Sequence, residues 1–372
     1  MMSSTVRPVF IQSVLVVGGC GFLGHHIVSR LAETSAAKVS VLDLQTTRNR
    51  FANVSYYDGD ITSVIDVSSV LQNVKPQVII HTASPTDDWR HSSLLFKVNV
   101  EGTRNLLECA GGAACVKAFI YTSSAGVVYD AASELVDIDE RMPVLHGSTQ
   151  SEVYRLTKGI ADDLVLAANR KYDDMLTAVI RPAAIFGEGD AQIIPKMLKA
   201  LETGKSRFQL GNNKNLFDFT YVANVSHAHI LAAQVLVNTH TQSRLPPDDQ
   251  KVDGEAFFIT NDEPVYFLDF VHAVWAAAGD KTQPKEIWVI PKVVALMIAT
   301  TLEWAFWILW WGQRIPSLTR KSVRFSCTTV THCTDKAKVR LGYRPVIDVK
   351  DGIKRSVEWH QRNLMAEKVS GK

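Results

Sequence analysis

Short apolar runs alternate with helically spaced patterns along the first half of the chain. VLVV at residues 14–17 reads as a buried strand; glycines follow it, and then Ile27, Val28 and Leu31 recur with helical spacing. Further strands are expected at 38–44 (KVSVLDL), 54–60 (VSYYDGD), 77–84 (QVIIHTAS), 116–124 (VKAFIYTSS) and 176–182 (LTAVIRP), with helices over 63–73, 93–110 and 151–171. This alternation predicts an α/β fold: a doubly wound parallel sheet, Rossmann-like, whose ligands gather at the carboxyl ends of the strands. Residues 1–185 are expected to form a dinucleotide-binding domain, 186–360 a smaller C-terminal substrate lobe, and 361–372 a flexible tail.

The first strand runs into GGCGFLG, where Gly18, Gly21 and Gly24 are spaced G-x-x-G-x-x-G and Phe22 and Leu23 complete the turn. Three such glycines let the backbone turn tightly, approach a pyrophosphate and pack the following helix on the strand. A glycine turn alone is weak evidence, and its context strengthens it. The second strand ends in Asp43, whose carboxylate can accept both ribose hydroxyls, which favours NAD while leaving NADP open. Read alone, Asp43 is equally an ordinary acid at a strand end.

Composition narrows the picture by exclusion. Hydrophobic residues make up 46% and charged residues 21%, the balance of a folded globular protein. A formal net charge of +2, with no run of basic residues interleaved with aromatics, argues against nucleic acid as a partner. Five cysteines at unrelated spacings argue for reduced thiols in a cytosol-facing protein. The leading VRPVFIQSVLVVGG is read as a first strand, not a cleaved signal, because Gln12 and Ser13 interrupt its apolar core. No metal site is expected. His25 with His26, His227 with His229, and Cys327, His332 and Cys333 lack ligand spacing, and are read as satisfied or surface side chains.

The strand at 116–124 closes on Ser123 and Ser124, and the next helix opens with SEVYRLTKG, which puts Tyr154 and Lys158 on one helical face. In isolation a Tyr-x-x-x-Lys pair is surface decoration about nine times in ten. Following a nucleotide-binding half and a serine-ended strand, it resembles the extended short-chain dehydrogenases/reductases, over about residues 12 to 360. The resemblance implies Tyr154 as the proton-transferring phenol, Lys158 as the cation that lowers its pKa and holds the nicotinamide ribose, and Ser124 as the hydroxyl that orients the substrate oxygen. Asn99, in KVNVEGTRNLL, matches an asparagine that supports a proton relay; a helix-start cap is its plainer reading. Asp60 and Ile61 in GDI match adenine contacts, Ala83 in HTAS the strand end beside the cofactor, and Pro182 in IRPAAIFGEGD a position near the nicotinamide.

YTSSAGVVYD, RPAAIFGEGD, NNKNLFDFTYVANVSHAHILAA and GEAFFITNDEPVYF resemble the 3β-hydroxysteroid dehydrogenase branch, and within it the fungal enzymes that oxidise and decarboxylate sterol 4α-carboxylates. That implies oxidation of a 3β-hydroxyl beside a carboxylate, a sterol or triterpenoid substrate, and a place on the cytosolic face of the endoplasmic reticulum membrane. A homodimer and association with other sterol-demethylation enzymes belong to the same expectation. Arg155 and the loop at 212–215 are candidates to meet the substrate carboxylate. Residues 141–151, RMPVLHGSTQS, depart from the acidic, proline-containing run of the sterol enzymes, so a secondary-metabolite triterpenoid or steroid dehydrogenase stays open. A non-catalytic NAD-sensing regulator and a sugar-nucleotide epimerase are the remaining alternatives.

From Val293 to Trp311 only Glu303 is charged, and WAFWILWW at 304–311 carries four tryptophans. The length approaches the ~20 residues of a membrane span. Glu303 opposes spanning by roughly 2.5–3.5 kcal/mol, while tryptophans and the downstream Arg314, Arg320, Lys321 and Arg324 suit an interface. An interfacial helix is the first expectation, a span the second and a buried lobe helix the third.

Overall fold

A computed structural model describes residues 10–34, 36–85, 92–172, 174–242, 246–311 and 313–370; the start of the leading segment, residues 1–9, and the final 371–372 lie outside the described residues. The first strand, β1 (Ser13–Val17), has Val14 to Val17 fully buried and leads through the glycine turn into α1 (Phe22–Thr34). There follow β2 (Lys38–Asp43), β3 (Ser55–Asp58), α2 (Val64–Val74) and β4 (Val78–His81). A short helix α3 (Ser92–Leu95), a π-helical segment (Phe96–Gly102) and α4 (Thr103–Gly111) form one continuous rod. Then come β5 (Ala118–Thr122), β6 (Leu135–Ile138), α5 (Val153–Ala167) and β7 (Leu176–Pro182). The strands match the expected runs with ends trimmed by a few residues, and α5 begins two residues later than the pattern proposed.

The second half supplies β8 (Ala184–Phe186), α6 (Ile193–Glu202), β9 (Phe208–Leu210), β10 (Leu216–Phe217), β11 (Phe219–Tyr221), α7 (Val222–Thr241) and β12 (Glu255–Ile259). It ends with β13 (Val265–Tyr266), α8 (Phe267–Ala277), β14 (Trp288–Ile290), α9 (Lys292–Trp310), α10 (Arg320–Ser326), β15 (Val330–His332), α11 (Asp335–Arg340) and α12 (Val349–Ser370).

Seven parallel strands make the main sheet in the order β3-β2-β1-β4-β5-β7-β12. The chain leaves β3 and crosses to β4 on the other side of β1, so strand order reverses between β1 and β4, where a doubly wound sheet opens its binding crevice. Valines, isoleucines and leucines fill the central strands because both faces are covered. On one face Ile27, Val28 and Leu31 of α1 pack with Val225, Leu236 and Val237 of α7; on the other, Val67 and Leu71 of α2, Leu106 of α4 and Val165 of α5 close the second core layer. A four-stranded sheet, β13-β10-β15-β6, and two short ribbons, β11-β8 and β14-β9, build the smaller lobe.

The boundary expected at residue 185 does not divide this structure. β12 lies in the range assigned to the substrate lobe yet pairs with β7 as the seventh strand of the main sheet, and β6 lies in the first range yet pairs with β15 in the smaller sheet. A parallel strand needs a crossover to reach its neighbour, and here that crossover runs through the other lobe. The residues expected as a tail continue α12 as far as Ser370.

Candidate active site

The glycine turn has the form that a pyrophosphate needs. Gly18 sits at φ +81, and a Cβ there would lie 2.6 Å from the backbone nitrogen of Ala83, at the end of β4. A Cβ on Gly24 would collide with the carbonyl oxygen of Gly18, so α1 can approach the turn only as glycine. Phe22 and Leu23 open α1, directly after the glycine turn. Asp43 ends β2, and its Oδ2 accepts from the backbone N–H of Cys20 at 2.9 Å, which draws the carboxylate to the lip of the turn. Asp60 caps its own turn instead: Oδ1 accepts from Thr62 N–H at 2.8 Å. Ile61 is buried against Gly102, and its carbonyl accepts from Asn105 Nδ2 at 3.2 Å. These residues fit a bound dinucleotide, since the cradle closes on any added Cβ where its backbone comes nearest to β4.

Further along the same edge of the sheet, β5 ends before Ser123 and Ser124. Ser124 Oγ accepts from Gly126 N–H at 3.1 Å and caps a short 3₁₀ turn, and Ser124 lines a cavity of about 140 Å³. Pro182, Ala183, Tyr129, Arg155 and Phe217 share that cavity. Arg155 donates to the carbonyl of Tyr129 at 3.3 Å and lies 4.9 Å from the centre of its ring. The loop at 212–215 is not beside it. Asn212, Lys214 and Asn215 line a separate cavity of about 470 Å³ with Lys292 and Cys327, so the structure brings only Arg155 of the two carboxylate-binding candidates to Ser124.

Tyr154 stands in the first turn of α5, and Lys158 and Asp162 follow at four-residue steps on one face. Lys158 is 2% exposed; its Nζ donates to the carbonyl of Thr122 and lies 4.4 Å from the centre of the Tyr121 ring. Burial pulls its pKa down from the ordinary lysine value to about 7, opposed in part by Asp162. Asp162 is itself held by Arg181 in a buried two-point pair, Nε to Oδ2 at 2.8 Å and a terminal guanidinium nitrogen to Oδ1 at 2.9 Å. Asn99 lies in the π-helical segment, and its Nδ2 donates to Thr157 Oγ1 at 3.0 Å, one residue before Lys158. A π turn widens the helix and shifts carbonyls out of register, which is why such segments concentrate at sites.

Polar atoms without partners cluster around this lysine. Among the described residues, Asn99 Oδ1, Tyr121 OH, Ser123 Oγ and His81 Nδ1 are all buried with no hydrogen-bond partner. Buried polar groups are ordinarily paired, so a group of orphans marks the place of a missing ligand. His81 gives its Nε2 to Thr103 Oγ1 at 3.1 Å, and burial beside Lys158 lowers its pKa to about 3, so it stays neutral. On the other side of the sheet His229 bonds Thr122 Oγ1 at 2.8 Å and the Val225 carbonyl at 2.8 Å, and burial lowers its pKa to about 4. Both of its nitrogens are satisfied, as the sequence reading held.

Sequence reasoning missed Asp162, Arg181, His81 and the pair formed by Asp218 and His332. Two of these had a signal: Asp162 continues the four-residue step of Tyr154 and Lys158, and Arg181 is a charge inside an otherwise apolar strand. His332 was expected to be satisfied or at the surface, but it is buried with Nε2 unpaired, because its partner Asp218 stands 114 positions away in the sequence.

Comparisons with known proteins agree with this geometry. Residues 15–291 match the model of the 3-beta hydroxysteroid dehydrogenase/isomerase family. The sterol-4-alpha-carboxylate 3-dehydrogenase, decarboxylating, of Schizosaccharomyces pombe is 37% identical over 356 residues, spanning 94% of this chain and 97% of that one. The human enzyme of the same name is 34% identical, spanning 92% of this chain and 87% of its own. Among solved structures, the UDP-glucose 4-epimerase of Thermotoga maritima superposes with a TM-score of 0.70 at 20% identity, covering 95% of this chain and all of that one. The dTDP-glucose 4,6-dehydratase of Bacillus anthracis, solved in complex with NAD, gives a TM-score of 0.66 at 19% identity, covering 95% and 98%. At that identity the likeness is one of fold alone. With the family model matched from β1 to the start of α9, and relatives aligned along nearly the whole chain, the chain belongs to the 3-beta hydroxysteroid dehydrogenase/isomerase family.

Proposed function

We propose that this chain oxidises the 3β-hydroxyl of a 4α-carboxysterol to the 3-ketone with loss of CO2, a step of C4 demethylation in sterol biosynthesis, using NAD or NADP. The observation that carries this reading is the likeness, over nearly the full length, to dehydrogenases named for that substrate. NAD, when bound, supplies the hydride acceptor.

The residues divide the remaining work. Gly18, Gly21 and Gly24 admit the pyrophosphate, with Phe22 and Leu23 at the helix start; Asp43 takes the ribose hydroxyls; Asp60, Ile61 and Ala83 border the adenosine side and Pro182 the nicotinamide. Ser124 orients the 3-oxygen and the Tyr154 phenol takes its proton. A free tyrosine holds its proton to pH ~10, and a nearby ammonium favours the phenolate. Lys158 is that ammonium, and its burial makes its charge expensive unless an anion stands near it. Asn99, on the widened π turn, supports the return path of the proton. Once the 3-ketone exists, it accepts the electron pair left behind as the neighbouring carboxylate departs.

The lipophilic substrate accords with α9. This helix is long and apolar enough to cross a membrane, yet Trp304, Trp307, Ile308 and Trp311 are exposed and only Ala295 and Ala299 are buried. Its one acid, Glu303, is paired with Arg320 of α10 at 2.6 Å. We place the helix flat in the cytosolic face of the endoplasmic reticulum membrane, where the other enzymes of C4 demethylation and a second copy of the chain are its expected neighbours.

The test is an anaerobic incubation of purified protein with NAD and a 4α-carboxy-3β-hydroxysterol, following NADH by absorbance and product by mass. NADH together with a product lighter by CO2 is expected, and Tyr154→Phe is expected to abolish both while NAD binding persists. No NADH from that substrate in protein that binds NAD would move the assignment to a triterpenoid dehydrogenase of the same mechanism.

A further inference from the structure

The cavity at Ser124 has a second polar wall. Asp218, between β10 and β11, and His332, at the end of β15, both line it, and they are 2% and 7% exposed. Asp218 Oδ2 accepts from the backbone N–H of His332 at 2.7 Å and from its ring Nδ1 at 3.1 Å. The Phe258 ring, 4.8 Å from the imidazole, packs beside it. With Nδ1 engaged by Asp218, the nitrogen that remains is Nε2, and among the described residues it has no partner; neither has the second carboxylate oxygen of Asp218. Among the described residues no other side chain donates to Asp218. Asp218 thus fixes the ring and leaves Nε2 as the one ring nitrogen that a ligand in this cavity could engage.

We propose that His332, held by Asp218, binds substrate by donating its Nε2–H to the carboxylate that the sterol carries beside its 3-hydroxyl. The inference rests on the reaction proposed above and adds a specificity residue to it. A charged acceptor is the partner that most repays desolvating this donor, because a hydrogen bond between ionised groups is about twice as strong as a neutral one. Ser124 in the same cavity places the 3-oxygen, and the carboxylate is on the adjacent ring carbon. Arg155 lines that cavity too, but its guanidinium is already engaged with the carbonyl and ring of Tyr129. A sterol with a methyl group in place of the carboxylate would leave Nε2–H buried and unpaired, and a site built around a polar partner rejects analogues that lack it.

The experiment measures KM for the 4α-carboxysterol and the inhibition constant of the matching 4-methyl sterol in wild type, His332→Phe and His332→Gln. His332→Phe is expected to raise KM for the acid by roughly 10-fold or more. It should lower the inhibition constant of the methyl sterol, since no buried donor is then left unpaired, and His332→Gln, which keeps an N–H donor, should recover part of the loss for the acid. An unchanged dissociation constant for NAD certifies that the variants are folded. Equal changes for acid and methyl sterol, or none for either, would overturn this role while leaving the reaction standing. Failure of the wild type to oxidise the acid would overturn the reaction and this role with it.

Discussion

The chemistry proposed for Lys158 would come at the expense of stability. Its folded pKa is lowered to about 7 by burial, whereas an unfolded lysine keeps its proton to pH ~10.4. Between those values the unfolded chain holds more protons at this position than the folded one, so stability rises with pH across the window, and the penalty is fully present below about pH 7. Lys158→Met removes the titrating group with a side chain of similar length. The variant is therefore expected to lose turnover, and without cofactor its melting temperature relative to wild type should be highest near pH 7 and should fall as the pH rises toward 10. Leaving the Thr122 carbonyl without its donor costs about 1–3 kcal/mol at every pH, so the slope of the difference is the test and its size is not. A flat difference would mean that the amine keeps its water in the folded protein. Tyr154, Lys158 and Ser124 could be picked out as candidates because a four-residue helical step and a strand end are local features. His81, Arg181 and the Asp218–His332 pair were not, since each meets its partner only through strand register or across lobes.

At the scale of elements, length and composition were readable and orientation was not. The apolar run at 293–311 becomes α9, Lys292–Trp310, with Trp311 following in the left-handed conformation at φ 49. What the run did not disclose is that the rest of the protein covers so little of it, or that Glu303 faces Arg320, which removes the charge that counted against membrane contact. Arg320 and Lys321 are themselves paired with Glu303 and Glu152, and Arg314 sits 5.6 Å from the Trp310 ring, so the basic cluster expected to meet lipid is partly spent on the protein. In the membrane contact proposed for α9, aromatic burial would therefore dominate binding. Trp304, Trp307 and Trp311 are 61%, 56% and 83% exposed. At roughly 1.5 kcal/mol or more for each large apolar side chain buried, replacing all three by serine should weaken partitioning into phospholipid vesicles by at least about 100-fold. Turnover of detergent-dispersed substrate should survive, because α9 contributes nothing to the cavity at Ser124. An alkaline carbonate wash should release the wild-type protein from membranes; retention would point to a span.

At the scale of the molecule, alternating strands and helices announced the sheet, yet the division at residue 185 was misplaced for a physical reason. Local patterning reports what each segment becomes and is silent on which sheet it joins. The chain sends β6 forward into the smaller sheet and returns β12 to the main one, while α7 closes the face of β5 and β7 and offers His229 to Thr122. A fragment of residues 1–185 would therefore carry every proposed cofactor contact and still lack the strand that pairs with β7 and the helix that covers the sheet beside it. β7 would then become an open edge of buried, apolar residues, a ready template for pairing with other chains. The fragment is expected to aggregate and to bind no NAD, whereas the full chain should unfold in a single transition by both far-ultraviolet circular dichroism and tryptophan fluorescence, because neither lobe keeps its sheet without the other. A soluble fragment that binds NAD with the affinity of the whole protein would show that β12 and α7 are dispensable, and that the two lobes fold as the separate units their sequence ranges first implied.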